Sequence, residues 1–266
     1  RVALIISGMV ALSMADHISW SSSYLGMAVL MLIPIFANLR AKEPDFTRPA
    51  PVSWSQTMQE SIIDPFTDFF TRYGWQTALL LLLFILLFKI PEQALVGGIM
   101  SPFYIDMGFT KTQIGTITKL YGVWIGILGV FAGGAAISRW GVRGPLFWSV
   151  LLTALCNLTY FWLIAHPGNL LVLTGVISIE NFALGFLGTA AVAFLSSLVN
   201  RQHTATQYAL LSSMVNLPGK VLGIFAGGIV EATSYGTYFV IATAAVAPAV
   251  VLMMILWKRI ASNNQA

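Results

Sequence analysis

The sequence predicts an all-α polytopic membrane protein with about eight transmembrane helices. Charged residues make up only 9% of the 266 residues, hydrophobic residues make up 57%, and the mean hydropathy is +0.80. A soluble protein carries roughly 25% charged residues, so this composition rules out a soluble enzyme of this length. Apolar runs such as residues 77–88 are unbroken, whereas the strands of a membrane barrel alternate apolar and polar residues. Helices are therefore the expected elements.

Eight apolar segments follow one another along the chain. The first, residues 2–15, would be about 21 Å long as a helix, which is short of the ~30 Å hydrocarbon core. We therefore expect the sequence to begin inside a membrane helix, with a signal peptide starting at Arg1 as the alternative. The seven longer segments are predicted at residues 19–38, 75–101, 112–138, 145–165, 169–198, 204–230 and 236–257.

Basic residues fall unevenly on the two sides of the predicted bundle. Only Lys111 lies on one side, whereas nine lie on the other: Arg40, Lys42, Arg48, Arg72, Arg139, Arg143, Arg201, Lys258 and Arg259. Because cytoplasmic loops collect Lys and Arg, this asymmetry places the nine in the cytoplasm. It also accounts for the net charge of +4 without a basic patch, so no nucleic-acid partner is expected.

Cysteine and histidine are too sparse to indicate a metal or redox centre. Cys156 is the single cysteine, which excludes a disulfide framework and a CxxC metal site. The three histidines are scattered near segment ends, and there is no nucleophile–base arrangement and no phosphate-binding glycine loop. The sequence therefore predicts no cofactor, no metal and no enzymatic activity. A polytopic membrane enzyme is the remote alternative, and it would need a catalytic cluster near a membrane interface.

One long polar connector, residues 40–74, separates two helices before it from six after it. Its second half places Met58, Ile62 and Phe66 at helical spacing, opposite Glu60, Asp64 and Asp68. This pattern predicts an amphipathic helix that lies on the membrane surface.

The six helices after the connector form two triplets with the same distribution of charge. In each triplet the first two helices carry internal charges and the third carries none. Weak internal symmetry of this kind is expected of inverted three-helix repeats in secondary transporters. The uncharged third helices are then free to face lipid.

Five ionisable side chains lie inside the predicted spans: Lys89, Glu92, Lys119, Glu180 and Lys220. Each costs at least about 2.5–3.5 kcal/mol in a bilayer, so such groups usually face the bundle interior and carry function. We expect them to surround a central cavity. Tight packing with satisfied ion pairs is the alternative, but three lysines against two glutamates leave one positive charge over.

Glu180 is the first candidate to carry a coupling proton. Burial favours the protonated form of a carboxyl group, whereas a nearby lysine favours the charged form. Glu92 is the second candidate, although Lys89 three residues earlier could simply neutralise it. Lys119 and Lys220 suit an anionic substrate, with pairing to the two glutamates as the alternative.

Small residues form stripes beside these charges. Glycine stripes allow close approach of neighbouring helices, and here they share a face with polar groups, although tight packing alone is the alternative. The three stripes are Gly115, Lys119, Gly122, Gly126, Gly129 and Gly133; Ala209, Ser213, Asn216, Lys220, Gly223 and Gly227; and Asn181, Gly185 and Gly188.

Two prolines interrupt predicted spans. Pro91 and the Pro218-Gly219 pair are expected to break backbone hydrogen bonding and to allow bending during gating. A static kink is the alternative at both places.

The loop at residues 134–143 resembles the cytoplasmic motif of the major facilitator superfamily. The matching positions are Gly134, Arg139, Gly141 and Arg143. Ser138 stands where the family usually has an acid, which puts a charge-relay latch at this loop in doubt.

Longer stretches resemble the AmpG family of muropeptide permeases within that superfamily. They are residues 102–104 with 108–110, Lys119 followed by Gly122, Glu180 and Asn181 with residues 188–190, and residues 204–213. The resemblance runs from the fifth to the twelfth family helix, so helices one to four would precede the sequence. Lys220 stands where arginine is expected, which keeps the charge but loses the bidentate fork.

The resemblance implies a major-facilitator helix bundle in the bacterial inner membrane. Residues 1–39 would hold the last two helices of the N-terminal six-helix half, 40–74 the cytoplasmic linker, 75–258 the C-terminal half and 259–266 a cytoplasmic tail. The complete protein would be a monomer among membrane lipids.

The same resemblance implies proton-driven import of anhydro-muropeptides by alternating access. Lys89, Lys119, Asn181, Asn216 and Lys220 would line the substrate path. A carrier for another bulky anionic solute, such as a coenzyme A ester, is the nearer alternative.

Overall fold

The computed structural model describes residues 18–41, 53–59, 63–92 and 98–263. These residues contain helices and turns and no strand. Seven helical stretches are long and apolar enough to cross a membrane: Trp20–Arg40, Trp75–Glu92, Lys111–Trp140, Arg143–Ala165, Leu170–Leu198, Thr204–Ala232 and Tyr235–Trp257. The predicted all-α membrane fold is confirmed. The predicted segment at residues 2–15 lies outside the described residues.

Several spans consist of more than one helical piece. In chain order, the α-helices are α1 (Trp20–Arg40), α2 (Trp54–Met58), α3 (Asp64–Tyr73), α4 (Trp75–Leu87), α5 (Met100–Asp106), α6 (Lys111–Ile114), α7 (Gly122–Trp140), α8 (Arg143–Cys156), α9 (Tyr160–Ala165), α10 (Leu170–Leu198), α11 (Thr204–Gly223), α12 (Ala226–Ala232), α13 (Tyr235–Ala244) and α14 (Ala247–Asn263). A π-helix, Gly115–Tyr121, joins α6 to α7, and a 3₁₀ turn, Asn157–Thr159, joins α8 to α9.

Helices α7 and α10 pack closely because both present glycines. A Cβ atom at Gly129 would collide with the backbone carbonyl of Phe182, and a Cβ atom at Gly185 would collide with the carbonyl of Gly126. Gly133 is similarly close to Phe186 and Thr189. The glycines of this stretch therefore permit a backbone-to-backbone contact that any larger residue would prevent.

Apolar side chains form two separate cores at opposite ends of the bundle. The core at the end with the basic loops includes Phe84, Phe88 and Leu252. The core at the other end contains Tyr160 and Phe239, whose rings stack with centroids 4.6 Å apart. Along α10, Glu180 lies between Ile177 of one core and Leu187 of the other.

Helix breaks differ from those expected at the prolines. Helix α4 ends at Leu87, and the turn at Phe88 and Lys89 precedes Pro91. At Pro218-Gly219 the chain stays helical, because α11 runs through Pro218 to Gly223, and bending at this place remains a prediction. Proline removes one i→i−4 hydrogen bond there, and its ring crowds the carbonyl four residues earlier. The break falls instead at Ile224 and Phe225, after the glycine that ends α11.

The linker helix α3 docks on the end of the bundle that carries the basic loops. Phe69 is 4% exposed and belongs to the apolar core at that end. Gly74, with φ 70°, makes the turn from α3 into α4, a left-handed conformation that favours glycine. The chain before α3 contains the short helix α2, and residues 60–62 of the predicted amphipathic helix lie outside the described residues.

Asp68 of α3 was expected on the solvent face, but it contacts the protein. Its Oδ1 accepts a hydrogen bond of 2.8 Å from Nδ2 of Asn200, and its Oδ2 accepts one of 2.9 Å from Nε2 of Gln207. Arg72 donates from Nε to the same Oδ2 at 3.0 Å. Partial burial raises the pKa of Asp68, but these hydrogen bonds and the charge of Arg72 outweigh it and hold the pKa below its ordinary value of 3.8.

Gln207 is the buried centre of this network, with only 3% of its surface exposed. Its Nε2 also donates to the carbonyl of Pro65 at 2.9 Å, and its Oε1 accepts from the backbone N–H of Asn200 at 2.7 Å. Arg72 donates from Nη2 to the carbonyl of Leu198 at 3.1 Å. The linker helix is thus tied to the connection between α10 and α11.

Candidate functional site

Lys89 and Glu92 form an ion pair at the break that follows α4. Nζ of Lys89 lies 3.1 Å from Oε2 of Glu92, and the side chains are 16% and 20% exposed. The backbone N–H of Glu92 also donates to the carbonyl of Lys89 at 3.1 Å. In this conformation the charges of Lys89 and Glu92 neutralise each other. This is the alternative to a proton-coupling role that their separation by three residues suggested.

Glu180 is buried near the middle of α10, with 6% of its surface exposed. Its carboxylate lies beside Tyr160 and within electrostatic range of Glu92 and Lys119. Within the described ranges the ion pairs are Arg72–Asp68 and Lys89–Glu92, so Glu180 has no basic group within 4.0 Å. A buried charge in a bilayer is costly. Whether Glu180 is protonated therefore depends on the charges and polar groups close to its carboxyl group.

Tyr160 and Tyr104 are buried phenols close to Glu180, and Asn157 is a further buried polar residue three positions before Tyr160; none of them was proposed from the sequence as a site residue. Tyr160 is 2% exposed, and its hydroxyl is close to both Glu180 and Tyr104 but makes no hydrogen bond of good geometry with the described residues. Nδ2 of Asn157 is also buried and has no hydrogen-bond partner among the described residues. The signal in the sequence that could have indicated them is an asparagine and a tyrosine inside an apolar span.

Lys119 does not continue the buried glycine face of α7. It lies in the π-helix, where the hydrogen-bond repeat is one residue longer than in an α-helix, and its side chain is exposed. A Cβ atom at Gly115 would meet nothing within 4 Å, whereas Gly122 is buried. The expected single stripe from Gly115 to Gly133 is therefore wrong for its first turn.

Asn181 fills the space that Gly122 leaves. A Cβ atom at Gly122 would lie 2.8 Å from Nδ2 of Asn181, which donates to the carbonyl of Ile177 at 3.0 Å. One turn earlier on α10, the hydroxyl of Ser178 lies 2.9 Å from that of Tyr121. Polar side chains thus cross between the π-helical end of α7 and the middle of α10.

The second stripe lies on the open face of α11. Asn216 and Lys220 are exposed, whereas the opposite face of the helix buries Gln207, Leu211 and Val215. Nδ2 of Asn216 donates to the carbonyl of Ser212 at 2.9 Å. The expected gathering of all five internal charges is only partial, because Lys220 and Lys119 lie on exposed faces while Glu180 is buried.

The loop after α7 has the geometry of a tight turn. Gly141 has φ 71°, which favours glycine at this position. Ser138 donates to the carbonyl of Ala135 at 2.9 Å, so its hydroxyl is used within its own helix. The guanidinium of Arg139 lies over the Trp140 ring at 5.6 Å, and Arg143 begins α8.

The residues that the structure describes contain no group of three or more metal-ligating side chains. The polar groups of the site are carboxyl, ammonium, phenol and amide groups from several spans. Such a set can bind an anionic solute and exchange a proton.

Comparison with known proteins identifies relatives over nearly the whole chain, although no family model matches it. "Putative transporter AmpG 4" of Rickettsia felis is 31% identical over 267 residues, which cover 98% of this chain and 63% of that protein. The anhydromuropeptide permease of Escherichia coli K12 is 31% identical over 257 residues, covering 96% of this chain and 51% of the permease. An uncharacterized protein of Haemophilus influenzae is 35% identical over 252 residues, covering 90% and 57%.

The chain is a multi-pass protein of the bacterial inner membrane, and the relatives that it matches include proteins named as a transporter and a permease. Over nearly its whole length it is similar to proteins named AmpG or anhydromuropeptide permease. The resemblance noted in the sequence is thereby confirmed. The chain spans about half to two-thirds of the length of the relatives it matches.

Proposed function

We propose that the protein imports anhydro-muropeptides from periplasm to cytoplasm, driven by the proton gradient. The observation that carries the proposal is the 31% identity to the anhydromuropeptide permease of Escherichia coli over 96% of this chain. The buried carboxyl of Glu180 and the exposed lysines on neighbouring faces supply the two functions such a carrier needs, a proton site and an anion site.

The proposed architecture is a major-facilitator bundle that works by alternating access. Residues 75–258 would form the C-terminal six-helix half, residues 1–39 would belong to the other half, residues 40–74 would link them, and 259–266 would be a tail. The open face of α11 supports this arrangement, because it leaves Lys220 exposed to a facing half.

Glu180 is the proposed carrier of the coupling proton, with Glu92 as the alternate. Two observations support this order: Glu92 is already paired with Lys89, whereas Glu180 has no basic group within ion-pair distance among the described residues. Movement of Lys119 relative to Glu180 would change the electrostatic field at the carboxyl group. Such a change is what couples protonation to a conformational cycle.

The proposed substrate path is lined by Lys89, Lys119, Asn181, Asn216 and Lys220. Lys119 and Lys220 carry no ion pair within the described part of the chain, so both remain free to attract an anion. The same two charges would serve any bulky anionic solute, which keeps a coenzyme A ester as the second candidate. Pro91, Gly122, Gly126, Arg139, Gly141, Arg143, Pro218 and Gly219 are the proposed structural and gating positions.

A substrate panel tests the proposal. The full-length protein is placed in membrane vesicles with an imposed pH gradient, and uptake of labelled anhydro-muropeptide and of a labelled coenzyme A ester is measured with and without a protonophore. We expect the muropeptide, and not the coenzyme A ester, to be taken up against its concentration gradient. The protonophore should abolish this uptake. Preference for the coenzyme A ester would favour the second candidate, and uptake that ignores the protonophore would contradict proton coupling.

A further inference from the structure

A large cavity opens at the end of the bundle that carries the basic loops. Its volume is about 490 Å³, and it is lined by residues along α4, the start of α8, the end of α10, the middle of α14 and the linker helix α3. This volume lies within the range of roughly 300–1,000 Å³ that is usual for small-molecule sites.

The cavity is separate from the proposed transport site. Glu180, Lys119 and Lys220 do not line it, and neither the glycine face of α7 nor the open face of α11 contributes to it. Two of its walls come instead from α8 and α14, which belong to the third helices of the two triplets. Those spans carry no internal charge and are suited to face lipid.

The lining combines two arginines with an apolar interior. Arg72 and Arg143 provide the guanidinium groups, while Leu81, Phe84 and Leu146 supply apolar surface. Arg72 is paired with Asp68, but Arg143 has no ion pair within the part of the chain that the structure describes. The basic part of the cavity therefore keeps a net positive charge, next to a pocket that an acyl chain can fill.

The rim lies at the level of the membrane interface. Trp257 lines the cavity, is 39% exposed, and contacts Phe147 with ring centroids 6.3 Å apart. Tryptophan at the end of a span is typical of the headgroup region. A basic pocket between transmembrane helices at this depth, on the side with the basic loops, is typical of sites for anionic lipid headgroups.

We propose that this cavity binds an anionic phospholipid of the leaflet on the basic-loop side. Its phosphate would be held by Arg143, because the guanidinium fork matches phosphate geometry, while Arg72, whose Nε and Nη2 already donate to Asp68 and Leu198, would form part of the cavity wall. One acyl chain would follow Leu81, Phe84 and Leu146. The bound lipid would bridge the linker helix and the C-terminal bundle, and this inference does not depend on which solute the protein transports.

Native mass spectrometry of the delipidated full-length protein tests the site. Phosphatidylglycerol and phosphatidylethanolamine are titrated in turn, and the Arg143→Gln variant is compared with Arg201→Gln. Arg201 is exposed on the same side but does not line the cavity. We expect about fivefold tighter binding of phosphatidylglycerol, corresponding to one arginine, with the preference lost in Arg143→Gln and kept in Arg201→Gln.

Three results would overturn the proposal. They are equal binding of the two lipids by the unmodified protein, equal effects of the two substitutions, and displacement of phosphatidylglycerol by millimolar inorganic phosphate, which would indicate a site for a free anion. Size-exclusion chromatography of each variant confirms that the protein remains folded before lipid binding is compared.

Discussion

Gln207 at the start of α11 donates a hydrogen bond of 2.9 Å to Asp68 of the linker helix, across a sequence separation of 139 residues. Both residues also contact Asn200, so the linker helix and the connection between α10 and α11 are held together. A linker fixed in this way would follow the C-terminal bundle rather than lie independently on the membrane.

Replacing Gln207 by leucine is expected to release the linker helix. The carbonyl of Pro65 and the backbone N–H of Asn200 would each lose the partner that Gln207 provides, at about 1–3 kcal/mol for each group left unsatisfied. Asp68 would keep its hydrogen bonds from Asn200 and Arg72. Hydrogen–deuterium exchange over residues 63–73 should become faster. The control is Gln202→Leu in the same connection, where the side chain is exposed; equal exchange in the two variants would show that the network does not hold the helix.

Acid should also loosen the linker helix. Because the pKa of Asp68 is lower in the folded protein than its ordinary value of 3.8, its stabilising effect is complete above that value and is lost as the pH falls through the lower, folded pKa. Exchange over residues 63–73 should therefore rise in this range below 3.8. An Asp68→Asn variant should lack this component, and an unchanged pH profile in that variant would assign the effect to another group.

The contact between α7 and α10 predicts a position-dependent effect of adding a methyl group. Gly129→Ala should lower the free energy of unfolding in detergent by about 1–3 kcal/mol, the usual cost of overpacking, because the new Cβ collides with the carbonyl of Phe182. Gly134→Ala on the same helix has open space and should be neutral or slightly stabilising. Similar melting temperatures for the two variants would contradict the close approach.

The exposed lysines should act on substrate affinity. Neutralising Lys119 or Lys220 to glutamine should raise the half-saturation concentration of an anionic solute about tenfold, as expected for the loss of one charge-assisted hydrogen bond. Initial uptake rates over a range of solute concentrations measure this. Lys111→Gln, on an exposed residue at the start of the span that contains Lys119, should leave uptake unchanged, and an equal effect there would indicate a general surface charge effect.

Local signals in the sequence predicted some parts of this structure well. The period of the glycines between Gly122 and Gly133 correctly indicated a close helix contact, because that spacing depends only on α-helical geometry. The positions of the spans followed from apolar length, and Ser19, Asn169 and Ser234 cap helices near the predicted starts.

Other features depend on contacts that are distant in sequence. The π-helix around Lys119 changes the side-chain register by its longer repeat, and the sequence read with an ideal α-helical period placed this lysine on the wrong face. Asp68 followed a helical pattern for a solvent-facing residue, but its partners Asn200 and Gln207 lie more than a hundred residues away. Tyr160 was missed because its proximity to Glu180 depends on how α9 packs against α10, which no local pattern in the sequence reveals.

Proton-driven accumulation by the Glu180→Gln variant of the full-length protein tests the central claim most directly. The variant should lose uphill uptake of labelled anhydro-muropeptide but keep solute exchange at equal concentrations, because exchange does not require net proton movement. Glu231→Gln, on an exposed residue near the end of α12, is the matched control and should retain both activities. Undiminished proton-driven accumulation in Glu180→Gln would contradict the assignment of Glu180 as the proton carrier.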